Sequence, residues 1–127
     1  MQKRLRLTVL DTAVAICRLP ADAVLPEWAL RKQEFLSITR TSEELSIVCV
    51  LDAVPTEVQA ERGWRVFKVQ GPLDFGLTGI LASIAVPLAG QKISIFAIST
   101  YDTDYILVRQ EAFELAREVL SWHFEIV

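Results

Sequence analysis

The sequence predicts an α+β fold on three observations. Residues 4–10 alternate between apolar and polar side chains, with Leu5, Leu7 and Val9 on one face, which is the period of a half-buried strand. From residue 77 onward the apolar spacing becomes helical. The composition, 52% hydrophobic and 23% charged over 127 residues, supplies enough apolar side chains for a packed core.

The first half of the chain is rich in predicted strands. Three short runs of β-branched and aliphatic residues follow the first strand, at 13–19, 35–40 and 45–50, and prolines or polar residues bound them. A short helix is predicted near 27–33. Residues 52–63, which include Pro55, Glu57, Glu61 and Gly63, predict a connector between two parts of the chain.

The second half begins with a predicted strand at 64–70 and a helix that starts near residue 77. Pro87 should kink this helix or end it near Gly90, because proline lacks an amide hydrogen. The stripe predicted to face the core shares helical spacing and consists of Leu77, Ile80, Leu81, Ile84 and Leu88.

Two strands, a second helix and a last strand complete the second half. The strands are predicted at 93–98 and 104–109, the helix at 111–122, and the last strand at 123–127. The buried stripe of this helix consists of Ala112, Phe113, Ala116, Val119 and Leu120. The order strand-helix-strand-strand-helix-strand from residue 64 predicts a ferredoxin-like split βαβ unit.

That topology brings two loops to the same end of the sheet. Residues 71–79 lead into the first helix, where glycines allow close approach and free amides favour a carboxylate or phosphate. Residues 99–104 contribute two carboxylates that suit an ammonium group, and hydroxyl partners beside them. The pair of loops predicts a site for a zwitterion, although Asp74 and Thr78 are also ordinary helix caps.

Residues 71–75 (Gly-Pro-Leu-Asp-Phe), 77–81 (Leu-Thr-Gly-Ile-Leu) and 95–108 resemble ACT-domain proteins. More narrowly, they resemble the bacterial tandem-ACT proteins related to the cytosolic arginine sensors of animals. Residues 37–41 and 44–49 also resemble this family, so the likeness spans most of the chain.

The resemblance implies ferredoxin-like (βαββαβ) ACT modules in tandem, a shortened one over 1–61 and a complete one over 62–127. It implies regulation through amino-acid binding, pairing of chains as a homodimer, and a regulated protein partner. In such proteins the ligand lies against the segments that correspond to 74–79 and 98–104.

The predicted ligand-binding residues are Asp74, Phe75, Gly76, Leu77, Thr78, Gly79, Ile98, Ser99, Thr100, Asp102 and Asp104. We expect the amides of 77–79 to hold the ligand carboxylate and Asp104 to hold its ammonium, with Phe75 and Ile98 beside its side chain. No acidic residue lies between Phe75 and Gly79, so the sequence does not favour arginine as the ligand.

Other functions are weaker predictions. Asp102 and Asp104 form an Asp-x-Asp sequence, but two carboxylates in a hairpin are usually turn residues, so no metal or cofactor is expected. His123 is the only histidine available for a catalytic triad, and no catalysis is expected. Cys17 and Cys49 lie in apolar runs and are expected to be buried, reduced thiols.

Charge and hydropathy limit the partners. A net charge of -3 argues against nucleic acid, and no apolar run is long enough for a membrane span, so a soluble, cytoplasmic protein is expected. The sequence favours a small-molecule sensor, with two alternatives from other classes. These are a protein-interaction or structural module without a ligand and a small enzyme of acylphosphatase-like architecture.

Overall fold

The computed structural model describes residues 5–71 and 78–127. Within them the chain forms eight strands and three α-helices. Their bounds are β1 (Arg6–Val9), β2 (Val14–Leu19), α1 (Glu27–Leu30), β3 (Leu36–Arg40), β4 (Leu45–Val50), β5 (Ala60–Val69), α2 (Ile80–Gly90), β6 (Ile95–Ser99), β7 (Asp104–Arg109), α3 (Phe113–Ser121) and β8 (Glu125–Ile126). The predicted α+β class is therefore confirmed.

The chain divides into two compact units. Met1–Asp11 and Arg65–Val127 form one, here called the C-terminal unit, and Thr12–Trp64 forms the other, the N-terminal unit. The division into 1–61 and 62–127 stays a prediction, but these units differ from it because they group the first strand with the C-terminal residues.

The C-terminal unit contains the ferredoxin-like elements and one additional strand. β6 pairs antiparallel with β7, and β7 pairs with β5. β1 pairs antiparallel with β5, with Leu7 opposite Val69, and β8 pairs in parallel with β1. β8 is the predicted last strand of the chain, and β1 lies between it and β5. Leu7 is fully buried there, which explains why the alternating first strand belongs to this sheet.

The two longer helices differ in how well their apolar stripes were predicted. In α3 the predicted stripe is confirmed, since Phe113, Ala116, Val119 and Leu120 are all buried. In α2 Ile84 and Leu88 are buried, but Leu81 is 38% exposed, so its predicted place in the core is wrong. Leu77 lies outside the described residues.

The N-terminal unit is built on the antiparallel strands β2, β3 and β4 and the first part of β5. β4 pairs with both β2 and β3, and Cys17 of β2 lies opposite Ala60 of β5. Its helix α1 ends at Leu30, which is shorter than the predicted 27–33, because Arg31 is already extended. β5 starts at Ala60, inside the predicted connector.

Cys17 and Cys49 are buried and free, as predicted. Both belong to the core of the N-terminal unit. A hydrogen bond between the two side chains lowers the pKa of Cys17 and, together with burial, raises that of Cys49. The directions agree with Cys49 donating its S–H to the sulfur of Cys17.

Candidate functional site

The β6–β7 turn occupies the end of the C-terminal sheet where the sequence predicted a site. Ser99 and Asp104 face each other as the last pair of the β6–β7 ladder, and four residues connect them. The turn is closed by a backbone hydrogen bond of 2.8 Å from Thr100 N to Thr103 O. The Thr100 hydroxyl accepts from Thr103 N at 3.3 Å and donates to Thr103 O at 3.1 Å, which fixes the turn further.

Thr103 fastens this turn to the end of β5. Its Oγ1 donates a 2.7 Å hydrogen bond to the carbonyl of Val69, and the residue is only 3% exposed. Val69 ends β5, two residues before the loop 71–79 begins. The bond therefore holds 99–104 next to the start of the other predicted loop, which agrees with the juxtaposition that the topology predicted.

Thr103 was absent from the predicted site residues. In the sequence it lies between two residues that were predicted, Asp102 and Asp104. Its signal is the Thr-x-x-Thr spacing with Thr100, which is typical of a hydroxyl-closed turn, but local sequence gives no indication of burial against β5. Thr103 positions the turn, and its hydroxyl is already used by Val69.

Two predicted site residues, one on each side of the turn, form a polar pair. The hydroxyl of Ser99 donates to Oδ1 of Asp104 at 2.6 Å. Asp104 is partly buried, while Ser99, Thr100 and Asp102 are exposed. A carboxylate has two oxygens and accepts several hydrogen bonds, so the Ser99 bond orients Asp104 and leaves acceptor capacity for an ammonium group.

The start of α2 is the other described part of the site. Gly79 caps the helix in the left-handed conformation, with φ of 78°, and its carbonyl accepts from Ser83 N at 2.9 Å. Among the described residues no atom lies within 4 Å of a Cβ built at Gly79, and its positive φ alone favours glycine. Among the described residues no side chain caps this end, and the first amides of a helix lack partners within it.

The remaining predicted residues divide into two groups. Thr78 and Gly79 are exposed, and Ile98 is partly buried. Asp74, Phe75, Gly76 and Leu77 lie outside the described residues, so their predicted roles stay predictions.

Other features carry no comparable chemistry. In 5–71 and 78–127 no three His, Cys, Asp or Glu side chains cluster as metal ligands would, and no helix there is long and apolar enough to cross a membrane. An open groove of about 680 Å³ contains none of the predicted site residues. It lies between α3 and β8 and is lined by Glu114, Leu115, Arg117, Glu118, Ser121, Phe124 and Ile126.

Comparison with known families identifies the C-terminal unit. The ACT-domain family model matches residues 59–121, which include the polar turn and α2. The chain belongs to the ACT-domain family. A second family model, which describes an N-terminal domain, matches residues 13–57.

The curated relatives of this ACT-domain chain include arginine sensors. The cytosolic arginine sensor for mTORC1 subunit 1 of Bos taurus is 32% identical over 104 residues, which is 73% of this chain and 32% of the sensor. Human CASTOR3P is 32% identical over 109 residues, which is 74% of this chain and 66% of that protein. The matched region thus spans about a third of the bovine sensor.

Solved structures share the fold over nearly the whole chain. Protein Atu0741 of Agrobacterium tumefaciens is 40% identical, with a TM-score of 0.91 over 99% of this chain and 94% of that one. The aspartate kinase of Clostridium acetobutylicum is 11% identical, with a TM-score of 0.67 over 91% of this chain and 34% of the kinase. The second likeness concerns the fold alone.

Proposed function

We propose that this ACT-domain chain is a non-catalytic regulatory module that binds a free amino acid at the polar turn and the start of α2. The observation that carries the proposal is the Ser99–Asp104 pair, held at the end of β5 by the buried bond from Thr103 to Val69. It puts an oriented carboxylate in the same unit as the N-terminus of α2, whose first amides have no partner within the helix, and a zwitterion needs both.

The proposed binding mode assigns one charge of the ligand to each element. Asp104 accepts hydrogen bonds from the ligand ammonium, and the amides of 77–79 donate to its carboxylate. Ile98 and Phe75 lie beside the ligand side chain. Asp74, Gly76, Thr100 and Asp102 complete the rim of the site.

The ligand is proposed as a class, an amino acid or a similar small zwitterion. Arginine sensing is a property of the bovine relative, of which the matched region spans a third. No acidic residue lies between Phe75 and Gly79 to neutralise a guanidinium group, so arginine is one member of the panel to be tested.

We further propose that the chain is a tandem of ACT modules, a shortened one over 1–61 and a complete one over 62–127. Two matching hairpins support this. β3 and β4 have five and six residues, β6 and β7 have the same lengths, and a 3-10 turn follows each pair. Only the second 3-10 turn leads into an α-helix, α3.

The module is proposed to act in the cytoplasm as a homodimer and to pass ligand binding to a protein partner. A ligand shifts such a partnership only when it binds the two conformations with different affinity. The relatives called cytosolic sensors support this part of the proposal.

A thermal-shift screen against the twenty amino acids, followed by titration calorimetry of the hits, tests the proposal. A ligand at 100 times its Kd stabilises the folded state by about 2.7 kcal/mol, so a true ligand raises Tm by several degrees. Asp104→Ala should lower the affinity at least tenfold, because a charge-assisted hydrogen bond is worth about 1.5–3 kcal/mol.

Glu43→Ala is the matched control, because Glu43 is an exposed carboxylate in the four-residue turn of the other hairpin. It should leave the affinity unchanged. A flat amino-acid panel would favour the second candidate, a protein-interaction module without a ligand. An unchanged affinity in Asp104→Ala would remove Asp104 from the site.

A further inference from the structure

The groove between α3 and β8 has two sides of different character. On the strand side, Phe124 belongs to the core of the C-terminal unit and Ile126 packs against it. On the helix side lie the charged residues Glu114, Arg117 and Glu118. The groove volume of about 680 Å³ falls within the range of about 300–1,000 Å³ that is typical of ligand sites. The groove is therefore large enough to hold side chains of a bound molecule.

The outer edge of β8 borders this groove and is open. β8 is the last strand in the order of the sheet and, in the described part of the chain, pairs only with β1. Glu125 N donates to Leu5 O at 3.1 Å, and Val127 N donates to Leu7 O at 2.8 Å. Successive residues of a strand turn their main-chain groups to opposite sides, so the N–H and C=O of Ile126 point away from β1. An extended chain can pair with such an edge.

The two faces of β8 present different side chains. Ile126 lies on the face that borders the groove, whereas Glu125 forms an exposed ion pair with Arg6 at 3.7 Å. A chain that pairs with β8 also alternates its side chains between the two faces. Every second side chain of that chain would therefore enter the groove, and the others would lie beside Glu125.

One stripe of α3 combines exposed apolar and acidic side chains. Leu115, Glu118 and Trp122 lie on this stripe, because residues three and four apart are neighbours on a helix surface. Leu115 is 44% exposed and Trp122 is 61% exposed. Glu118 is also exposed, and it forms no ion pair within the residues that the structure describes. An aromatic ring beside a carboxylate attracts a lysine or arginine side chain.

The other charges of the groove are consistent with a basic ligand. Glu114 lies one turn before Glu118, and two carboxylates at this spacing repel each other and so destabilise the helix slightly. At about 100° per helical residue, Arg117 is rotated away from Glu118 in the direction opposite to Trp122. The carboxylates and the ring of Trp122 therefore form the part of the groove that suits a cation, and Arg117 lies apart from it.

We propose that the groove between α3 and β8 binds an extended segment of a protein partner, which pairs with the outer edge of β8 and carries an apolar side chain next to basic ones. The apolar side chain contacts Phe124 and Ile126, and a lysine or arginine lies against Trp122 and Glu118. Main-chain hydrogen bonds to Ile126 contribute affinity, and the alternate side chains contribute specificity. The net charge of -3 attracts a basic segment from a longer distance.

A second copy of this chain suits the groove less well. A two-fold contact along β8 would bring each α3 towards its own copy, with Glu114 and Glu118 on both sides of the contact. Like charges that face each other oppose association. A second copy is therefore an outcome that the test has to distinguish from the proposed partner.

The inference names the surface and the chemistry of the protein partner in the proposed function. It does not depend on amino-acid binding, because none of the predicted ligand-binding residues lines the groove. Calorimetry with amino acids measures the other site separately, and Glu118→Lys should leave that affinity unchanged. Either idea can therefore fail without the other.

Fluorescence polarisation with labelled seven-residue peptides tests the proposal. Each peptide has a central isoleucine, arginine at one or two other positions, and threonine elsewhere to favour an extended chain. A matched set has glutamate in place of arginine. At least one arginine peptide should bind with a Kd below about 1 mM and at least tenfold more tightly than its glutamate counterpart. Added salt should weaken this binding.

Variants of α3 locate the binding surface. Glu118→Lys and Trp122→Ala should each weaken the arginine peptide at least tenfold, because they remove the carboxylate and the ring that contact the basic side chain. Glu111→Lys is the matched control, since Glu111 is exposed just before α3 and outside the groove. It makes the same change of charge and should weaken binding less than about threefold. Circular dichroism and Tm check that each variant is folded.

N-methylated peptides test the strand pairing. Methylation of alternate amides blocks the main-chain bonds on one edge of the peptide and leaves those on the other edge. One of the two alternating sets should therefore abolish binding, while the other set retains it. In the unmethylated complex, hydrogen exchange of the Ile126 amide should slow, because this N–H gains a partner.

Several outcomes would overturn the proposal. They are no binding of any arginine peptide up to about 1 mM, equal binding of the glutamate peptides, equal loss in Glu111→Lys and Glu118→Lys, or equal tolerance of both methylated sets. Sedimentation of the variants identifies the remaining occupant. If Glu118→Lys and Trp122→Ala change the state of association while no peptide binds, the groove belongs to a second copy of this chain.

Discussion

The β3–β4 and β6–β7 hairpins have the same construction and different chemistry. Each has strands of five and six residues joined by four residues. In the first turn Thr41 N donates to Glu44 O at 2.9 Å and the Thr41 hydroxyl accepts from Glu44 N at 3.2 Å. Thr100 and Thr103 make the corresponding bonds in the second turn.

The residues that flank the two turns are not alike. The last ladder pair is Ser99 with Asp104 in the second hairpin and Arg40 with Leu45 in the first. Arg40 donates to the carbonyls of Ala21 and Ala23, in the connection between β2 and α1. At the position where one hairpin presents a carboxylate, the other presents a buried leucine.

The hairpin is therefore a common scaffold, and the pair of residues that flanks its turn determines the chemistry. In the N-terminal unit the guanidinium of Arg40 already donates hydrogen bonds to backbone carbonyls in the connection between β2 and α1. In the C-terminal unit the carboxylate of Asp104 keeps acceptor capacity. We therefore expect one amino-acid site per chain, in the C-terminal unit.

The largest difference in stability between matching variants of the two hairpins should appear at the fourth residue of each turn. Thr103→Val removes the donor to Val69 O, buries the same volume and leaves a carbonyl without its partner, which should cost about 2 kcal/mol of unfolding free energy. Glu44→Gln, at the matching position, should change it by less than about 0.5 kcal/mol. Urea denaturation measures both, and equal costs would contradict the anchoring role of Thr103.

Exchanging the flanking residue should sharpen the assignment of the site. Ser99→Ala removes the hydroxyl that orients Asp104 and should weaken ligand affinity about threefold to tenfold, in line with about 1 kcal/mol for one hydrogen bond. In a double-mutant cycle with Asp104→Asn the two losses should not add. Calorimetry checks this, and strict additivity would mean that Ser99 acts independently of Asp104.

Arg40→Met tests whether the first hairpin uses its flanking residue for structure alone. The variant keeps most of the aliphatic length and loses the bonds to Ala21 and Ala23, which should lower stability by about 1 kcal/mol or less because Arg40 is exposed. Amino-acid affinity should stay at the wild-type value. A changed affinity would show that the N-terminal unit takes part in binding.

The smallest difference in stability between the two hairpins should appear at the first residue of each turn. Thr41→Val and Thr100→Val each lose the hydroxyl bonds of the turn and should each cost about 0.5 kcal/mol. Only Thr100→Val should also lower the affinity for the ligand. Urea denaturation and calorimetry on both variants check whether the two turns contribute equally to stability but differently to ligand affinity.

The spacing of apolar residues in the sequence predicted several elements correctly. The strands β6 and β7 follow from two short apolar runs joined by a polar loop, and the helix α3 follows from a narrow apolar stripe with one buried and one solvated face. The same reasoning brought the two loops to one end of the sheet, which the bond from Thr103 to Val69 supports.

Features that depend on distant contacts were missed. The place of β1 between β5 and β8 depends on pairing across the whole chain, which no local period encodes. The exposure of Leu81 was missed because an apolar helix without charges gives no signal for its outward side. The burial of Thr103 was missed because turns are usually solvated.

The position of β1 bears on the order in which the chain can fold. Thr8 donates to the side chain of Gln70 at 3.0 Å across 62 positions of sequence, and β1 pairs with two strands made much later. During synthesis β1 therefore emerges long before β5 and β8 and stays unpaired until they have been made. Pairing over such a sequence distance is also slow. A fragment that starts at residue 62 would have β5 and β8 without the strand between them. Attaching residues 5–11 through a flexible linker after residue 127 should restore a folded C-terminal unit.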